Sequence, residues 1–201
     1  MKTILPLAAA ILFFAPAAVC QSSKDVSKPP FEGFEAHLTG GTMLRVHLHD
    51  GDFRIVGSDA EKISIHAEGN NIEQAKNIQV KLTRSGNVAD LKLSHVPKKE
   101  LQVTIEIPRT TDLYARMRGG DLAVLGIMGD KDLELTGGDL TVGVGSPQDY
   151  AHVDLSVRFG DVKGSQFGEP KGSMGNSVRM DGNGKYRLRA HVMAGDLVLT
   201  P

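Results

Sequence analysis

The chain repeats one phrase: an alternating strand, a glycine, an aspartate, then a second short strand. It occurs as His47-Leu48-His49-Asp50-Gly51-Asp52-Phe53, Arg118-Gly119-Gly120-Asp121-Leu122 and Thr136-Gly137-Gly138-Asp139-Leu140. It returns as Arg158-Phe159-Gly160-Asp161-Val162 and Met193-Ala194-Gly195-Asp196-Leu197. A repeated supersecondary unit restricts the fold before any single residue does.

Aligned on the aspartate, the flanks form apolar columns. Six residues before it stand Val46, Ala115, Leu133, Leu155 and Ala190; four before it stand Leu48, Met117, Leu135, Val157 and Val192. One residue after it stand Phe53, Leu122, Leu140, Val162 and Leu197; three after it stand Ile55, Val124, Val142 and Leu199, with Gly164 the exception. Side chains alternate faces along a strand. The step from the second column to the third is odd, so an unbroken strand would send the later columns to the opposite face. To bury all four in one core, the chain must turn a corner at the glycine, which tolerates positive φ. The aspartate is expected to hydrogen-bond its own corner and brace it.

Strand, corner and strand around a shared core make one coil of a β-solenoid. The predicted fold is all-β: a single-domain β-solenoid over residues 34–201, like a right-handed parallel β-helix. Asp121 and Asp139 are 18 residues apart, and Asp139 and Asp161 are 22 apart. The gap of 35 residues between Asp161 and Asp196 is read as two coils, with a degenerate corner near Asp181-Gly182-Asn183-Gly184, and the last coil closes near Thr200. The N-terminal half is more irregular. There, Ser85-Gly86-Asn87 between two strand patterns predicts a hairpin. Residues 71–77 form the single helical candidate.

Residues 1–20 read as a secretory signal peptide, with Lys2 leading an apolar stretch broken by Pro6 and Pro16. Cleavage after Cys20 fits, leaving Gln21 first. The alternative is acylation of a retained Cys20, for which Val19 is a poor preceding residue. Residues 21–33, with Pro29-Pro30, read as a polar tether. The destination is therefore exported: periplasmic, outer-surface or secreted. Cys20 is the one cysteine, so the mature chain forms no internal disulfide and depends on its core for stability. The formal net charge of −1 offers no strong basic field, and nucleic acid is not an expected partner.

The Gly-Asp-Leu phrases at 120–122, 138–140 and 195–197 resemble the bacterial putative-adhesin family of uncharacterised function. So do Gly172-Ser173-Met174-Gly175-Asn176-Ser177 and the passage from Gly182-Asn183-Gly184 into the strand at 185–191. The resemblance implies an exported β-solenoid in the style of autotransporter heads. It implies no catalytic residues.

Candidate sites are few. The corner residues Gly51, Asp52, Gly120, Asp121, Gly138, Asp139, Gly160, Asp161, Gly195 and Asp196 read as structural. The repeated carboxylates also admit calcium, although each coil supplies one where nonapeptide toxin repeats supply more. No other cofactor is implied. His47 and His49 share a strand face, a weak metal pair that lacks a third ligand. Arg116, Arg118, Arg158, Arg187 and Arg189 point outward near corners and could form a basic stripe for an acidic polymer or a protein. With no Trp and three Tyr, sugar stacking is poorly served. No nucleophile elbow or phosphate loop is present. The expected function is a non-enzymatic envelope interaction or sensing module of adhesin type. The alternatives are an enzyme acting on envelope polysaccharide and a calcium-stabilised structural module.

Overall fold

The structure, a computed structural model, describes residues 22–70, 72–164, 166–171 and 175–201. The signal-peptide reading with Cys20, the first residue of the helical candidate, and residues 172–174 of the glycine run lie outside the described residues.

The described chain is all-β. Its first strands are β1 (Ser23–Val26), β2 (Phe34–His37), β3 (Met43–Asp50), β4 (Asp52–Ser58) and β5 (Lys62–Gly69). A short helix, α1 (Ile72–Ala75), precedes β6 (Gln79–Ser85), β7 (Val88–Ser94), β8 (Leu101–Pro108), β9 (Asp112–Gly119) and β10 (Leu122–Leu125). Then come β11 (Lys131–Gly137), β12 (Leu140–Gly143), β13 (Tyr150–Phe159), β14 (Val162–Lys163), β15 (Asn176–Asp181), β16 (Tyr186–Ala194) and β17 (Leu197–Thr200).

They form two mixed sheets. The nine-stranded sheet runs β1-β6-β7-β3-β9-β11-β16-β13-β15, and the eight-stranded sheet runs β14-β17-β12-β10-β4-β8-β5-β2. Each Gly-Asp phrase carries the chain from the first sheet to the second: β3 to β4, β9 to β10, β11 to β12, β13 to β14, and β16 to β17. Within both sheets these units pair in parallel. The four apolar columns all point into one core; Val46, Ile55, Leu133, Leu140, Leu155 and Leu197 are fully buried. Full burial of each such side chain contributes about 1.5–3 kcal/mol. The odd step between columns is thus absorbed at the corner. Gly164, the exception, sits at φ +108° where the chain leaves β14.

The order of units differs from the order in sequence. Asp196 and its strands lie between the Asp139 unit and the Asp161 unit, because β16 pairs with β11 and β13, and β17 with β12 and β14. Among the described residues the 35-residue gap contains no additional unit. Its strand, β15, runs antiparallel on β13, and the turn at 182–184 sends the chain into β16. The expectation of two coils there, with the last one closing the array, is corrected. The spacing measured chain length, and an edge strand plus a return uses that length as well as a coil does.

Antiparallel strands flank the parallel array. The predicted hairpin is β6–β7, and it joins the array through parallel pairing of β7 with β3. Part of the expected tether is structured: β1 pairs antiparallel with β6, and Phe31 is buried. The outermost strands carry charges such as Lys24, Glu35 and Arg179, or are as short as β14, which discourages edge pairing.

Candidate functional site

Hydrogen bonds stack the corners. The glycine N–H of four of the five units donates to the unit beside it: Gly51 to Gly119 O (3.2 Å), Gly120 to Gly137 O (3.0 Å), Gly138 to Ala194 O (2.9 Å) and Gly195 to Phe159 O (2.9 Å). The aspartates extend the stack sideways. Asp121 Oδ1 accepts the N–H of Asp139 (3.1 Å), Asp139 Oδ1 that of Asp196 (2.9 Å), and Asp196 Oδ1 that of Asp161 (2.9 Å). Asp161 Oδ1 accepts from Asn176 Nδ2 (2.8 Å) and ends the run. The expectation that each aspartate braces its own corner is therefore corrected: these three carboxylates brace the neighbouring unit. Lys163 Nζ, 2.5 Å from Asp196 Oδ2, together with the Asp161 N–H, holds the Asp196 carboxyl below the usual carboxylate range. Among the described residues no three His, Cys, Asp or Glu side chains group as a metal site, and His47 and His49 stand exposed on β3.

Asp52 lies outside this run; its nearest polar partner is Gln102 Nε2 at 3.5 Å. Asp139→Ala is therefore expected to cost about 1 kcal/mol in urea unfolding, and Asp52→Ala a few tenths. Equal losses would show that the sideways bonds add nothing.

The five arginines all lie on the nine-stranded sheet, on β9, β13 and β16. The structure does not bring them together as one stripe. Arg116 is occupied: it reaches Asp132 Oδ1 (2.7 Å) and Glu134 Oε2 (2.9 Å), and its guanidinium lies 3.7 Å over the Tyr114 ring. Arg189 approaches Asp132 at 4.0 Å, and Arg158 covers the Phe159 ring at 5.6 Å. Arg187 donates its backbone N–H to Asp130. Asp132 and Glu134 on β11 split the stripe because register places them between the arginines of β9 and β16.

Three arrangements escaped sequence reasoning. Lys131 points into the core, 2% exposed, where its register neighbours are Leu113 and Leu188. Its ammonium donates to Ile127 O (2.9 Å) and Gly129 O (3.1 Å) and lies 5.2 Å over the Tyr150 ring. Burial pushes its pKa down to about 8, against the pull of Asp130, Asp112 and Asp149. Burial also pushes Tyr150 up to about 12.

Secondly, Ser156 Oγ on β13 lies 2.6 Å from His191 Nδ1 on β16, and Glu134 on β11 is opposite His191. These three line a shallow hollow of about 400 Å³. Glu134 is held by Arg116 instead of the histidine. Thirdly, Lys81 and Lys92, from the irregular N-terminal half, come beside His47. The cue available in sequence was the alternation of β6 and β7, which sets both lysines outward.

No protein-family model matches the sequence, and no curated protein matches it. Among solved structures the chain is similar to a putative cell adhesion protein from Clostridium sporogenes, at 14% identity and a TM-score of 0.50. That alignment covers 89% of this chain and 99% of the other. A putative adhesin from Bacteroides fragilis aligns over 87% of this chain and 100% of its own, at 10% identity; its TM-score of 0.25 carries no argument. The likeness to the Clostridium protein, at that identity, is one of all-β fold.

Proposed function

We propose that this protein is an exported β-solenoid of adhesin type, a non-enzymatic module that binds a component of the cell envelope through the outward face of its nine-stranded sheet. The observation that carries the reading is that face. Its side chains are held in register by paired strands and stacked corners, and among the described residues the hollows along it are shallow. Such a surface suits an extended partner better than a small enclosed substrate. Parallel stacking of the five Gly-Asp units supports the solenoid description, and the fold it shares with a protein named for cell adhesion agrees with the role. Among the described residues no helix is long and apolar enough to cross a membrane.

The test is direct. Labelled protein comprising residues 21–201 is added to isolated envelopes of the cells that make it. Saturable retention, displaced by unlabelled protein, is expected; absence of saturable retention overturns the reading. One observation favours a hydrolytic alternative, the contact between Ser156 and His191. A fluorophosphonate probe that labelled Ser156, with labelling lost in His191→Ala, would replace the non-enzymatic reading.

A further inference from the structure

Outward charges on the nine-stranded sheet are mostly matched by register. Asp90 lies opposite Arg45. Arg116 is paired with Asp132 and Glu134, Asp154 with Arg179, and His152 with Asp181. One quarter of the face departs from this rule. Lys81 on β6 lies directly opposite Lys92 on β7. Lys92 lies directly opposite His47 on β3, and His47 opposite Arg116 on β9. His49 and Arg118 continue the basic ground toward the corner. Lys24 reaches it from β1, where Val26 is the residue opposite Lys81. Among the described residues Lys24, Lys81, Lys92 and Arg118 have no ion-pair partner.

Lys24, Lys81, Lys92, His47 and His49 line a hollow of about 490 Å³ with no carboxylate in its lining. A second hollow adjoins it through His47 and His49 and extends to Arg118; its one carboxylate, Glu134, is already held by Arg116. Like charges directly opposite one another in a sheet destabilise it. Lys81 and Lys92 are exposed and pack nothing that requires a cation. Their register is thus a cost to the free protein, and an anionic ligand would relieve it.

We propose that this quarter binds a linear phosphodiester polymer laid across β6, β7, β3 and β9, at right angles to the strands. Adjacent strands are about 4.8 Å apart, so the cationic row spans more than one phosphate group can reach. Successive phosphates meet Lys81, Lys92, His47 and Arg118, with Lys24 and His49 at the flanks. Lysine suits this role as a compact charge with three donors. Neither hollow is lined by Phe, Tyr or Trp. Nucleobases and sugar rings are gripped by stacking on aromatic side chains, so the geometry favours a polymer recognised by its charges. The site deepens the envelope-binding reading, on which it rests.

The experiment is calorimetric titration of residues 21–201 with a synthetic glycerol-phosphate polymer of about ten units. Loss of two charge-assisted contacts makes Lys81→Glu/Lys92→Glu bind at least about tenfold more weakly. Arg54→Glu/Lys62→Glu, the same change of charge on the eight-stranded sheet, stays within about twofold of the parent. Lys81→Gln/Lys92→Gln weakens binding in the same direction and leaves the melting temperature unchanged or higher, where a structural role for the lysines would lower it. Equal binding by polygalacturonate overturns the choice of phosphate, and tighter binding by single-stranded DNA overturns the exclusion of bases. Retention on envelopes without binding of the polymer overturns the ligand class alone; loss of both overturns the envelope reading with it.

Discussion

Gly138→Ala is expected to cost about 4 kcal/mol or more, enough to unfold a typical domain of this size under mild denaturant. Two penalties coincide at this corner. Gly138 has φ +117°, where side-chain-bearing residues are strained. A Cβ built there would also stand 2.1 Å from the carbonyl oxygen of Gly120 in the neighbouring unit. Relief requires the Asp121 and Asp139 units to separate, which breaks the bonds from Gly120 N–H to Gly137 O and from Leu122 N–H to Asp139 O. Gly145 is the control. It has φ +58° and nothing within 4 Å of a Cβ, so alanine there costs about 1–2 kcal/mol from conformation alone. Urea unfolding separates the two. Equal losses would mean that the corners do not pack as tightly as their backbone contacts require.

Stability should climb by about 3 kcal/mol as pH rises from about 8 to 10.5, and Lys131→Met should abolish the climb. In the folded protein Lys131 gives up its proton at about pH 8, because its ammonium is buried; the unfolded chain holds that proton to 10.5. Between those values the unfolded state binds more protons, so raising the pH favours the fold. Below about pH 8 both states are protonated and the penalty is constant. Tyr150 acts oppositely and later. Its folded pKa of about 12 lies above the ordinary 10, so the fold loses stability as pH rises from 10 toward 12. Stability therefore peaks near pH 10. Methionine replaces the apolar stem of Lys131 but leaves Ile127 O and Gly129 O without their donor. The slope is accordingly the readout, taken from urea midpoints at several pH values. A Lys131→Met slope equal to the parent's would place the climb in other groups.

The inward columns were legible because alternation and the odd step at glycine leave one way to bury four apolar positions. Leu133, Leu135, Leu140 and Val142 sit where that reasoning places them. The order of the units was not legible. Every unit presents the same columns, so exchanging Asp196 and Asp161 buries the same surface and leaves no mark on the pattern. The partner of each aspartate was hidden for a related reason: a carboxylate reaches its own turn and the next unit equally well, and only the stacking decides. Lys131 broke the apolar pattern between Leu113 and Leu188, yet the carbonyls that hold it come from a turn with no periodicity. Alternation sets Lys81 and Lys92 outward, but their meaning comes from register with His47, which pairing alone creates.

The interleaved order of the units has a consequence for assembly. Among the described residues β13 pairs only with β16 and β15, and β14 only with β17. A ribosome delivers Asp161 well before Asp196, so β13 and β14 must wait for a later strand to join them to the rest. Folding by simple accretion, one unit onto the last, is closed to this half of the chain. The closing step inserts β16 and β17 into a gap, as a keystone enters an arch, and makes contacts on both sides at once. The same arrangement limits how the protein can grow: a copied unit added after β17 would find both flanks of that strand already taken.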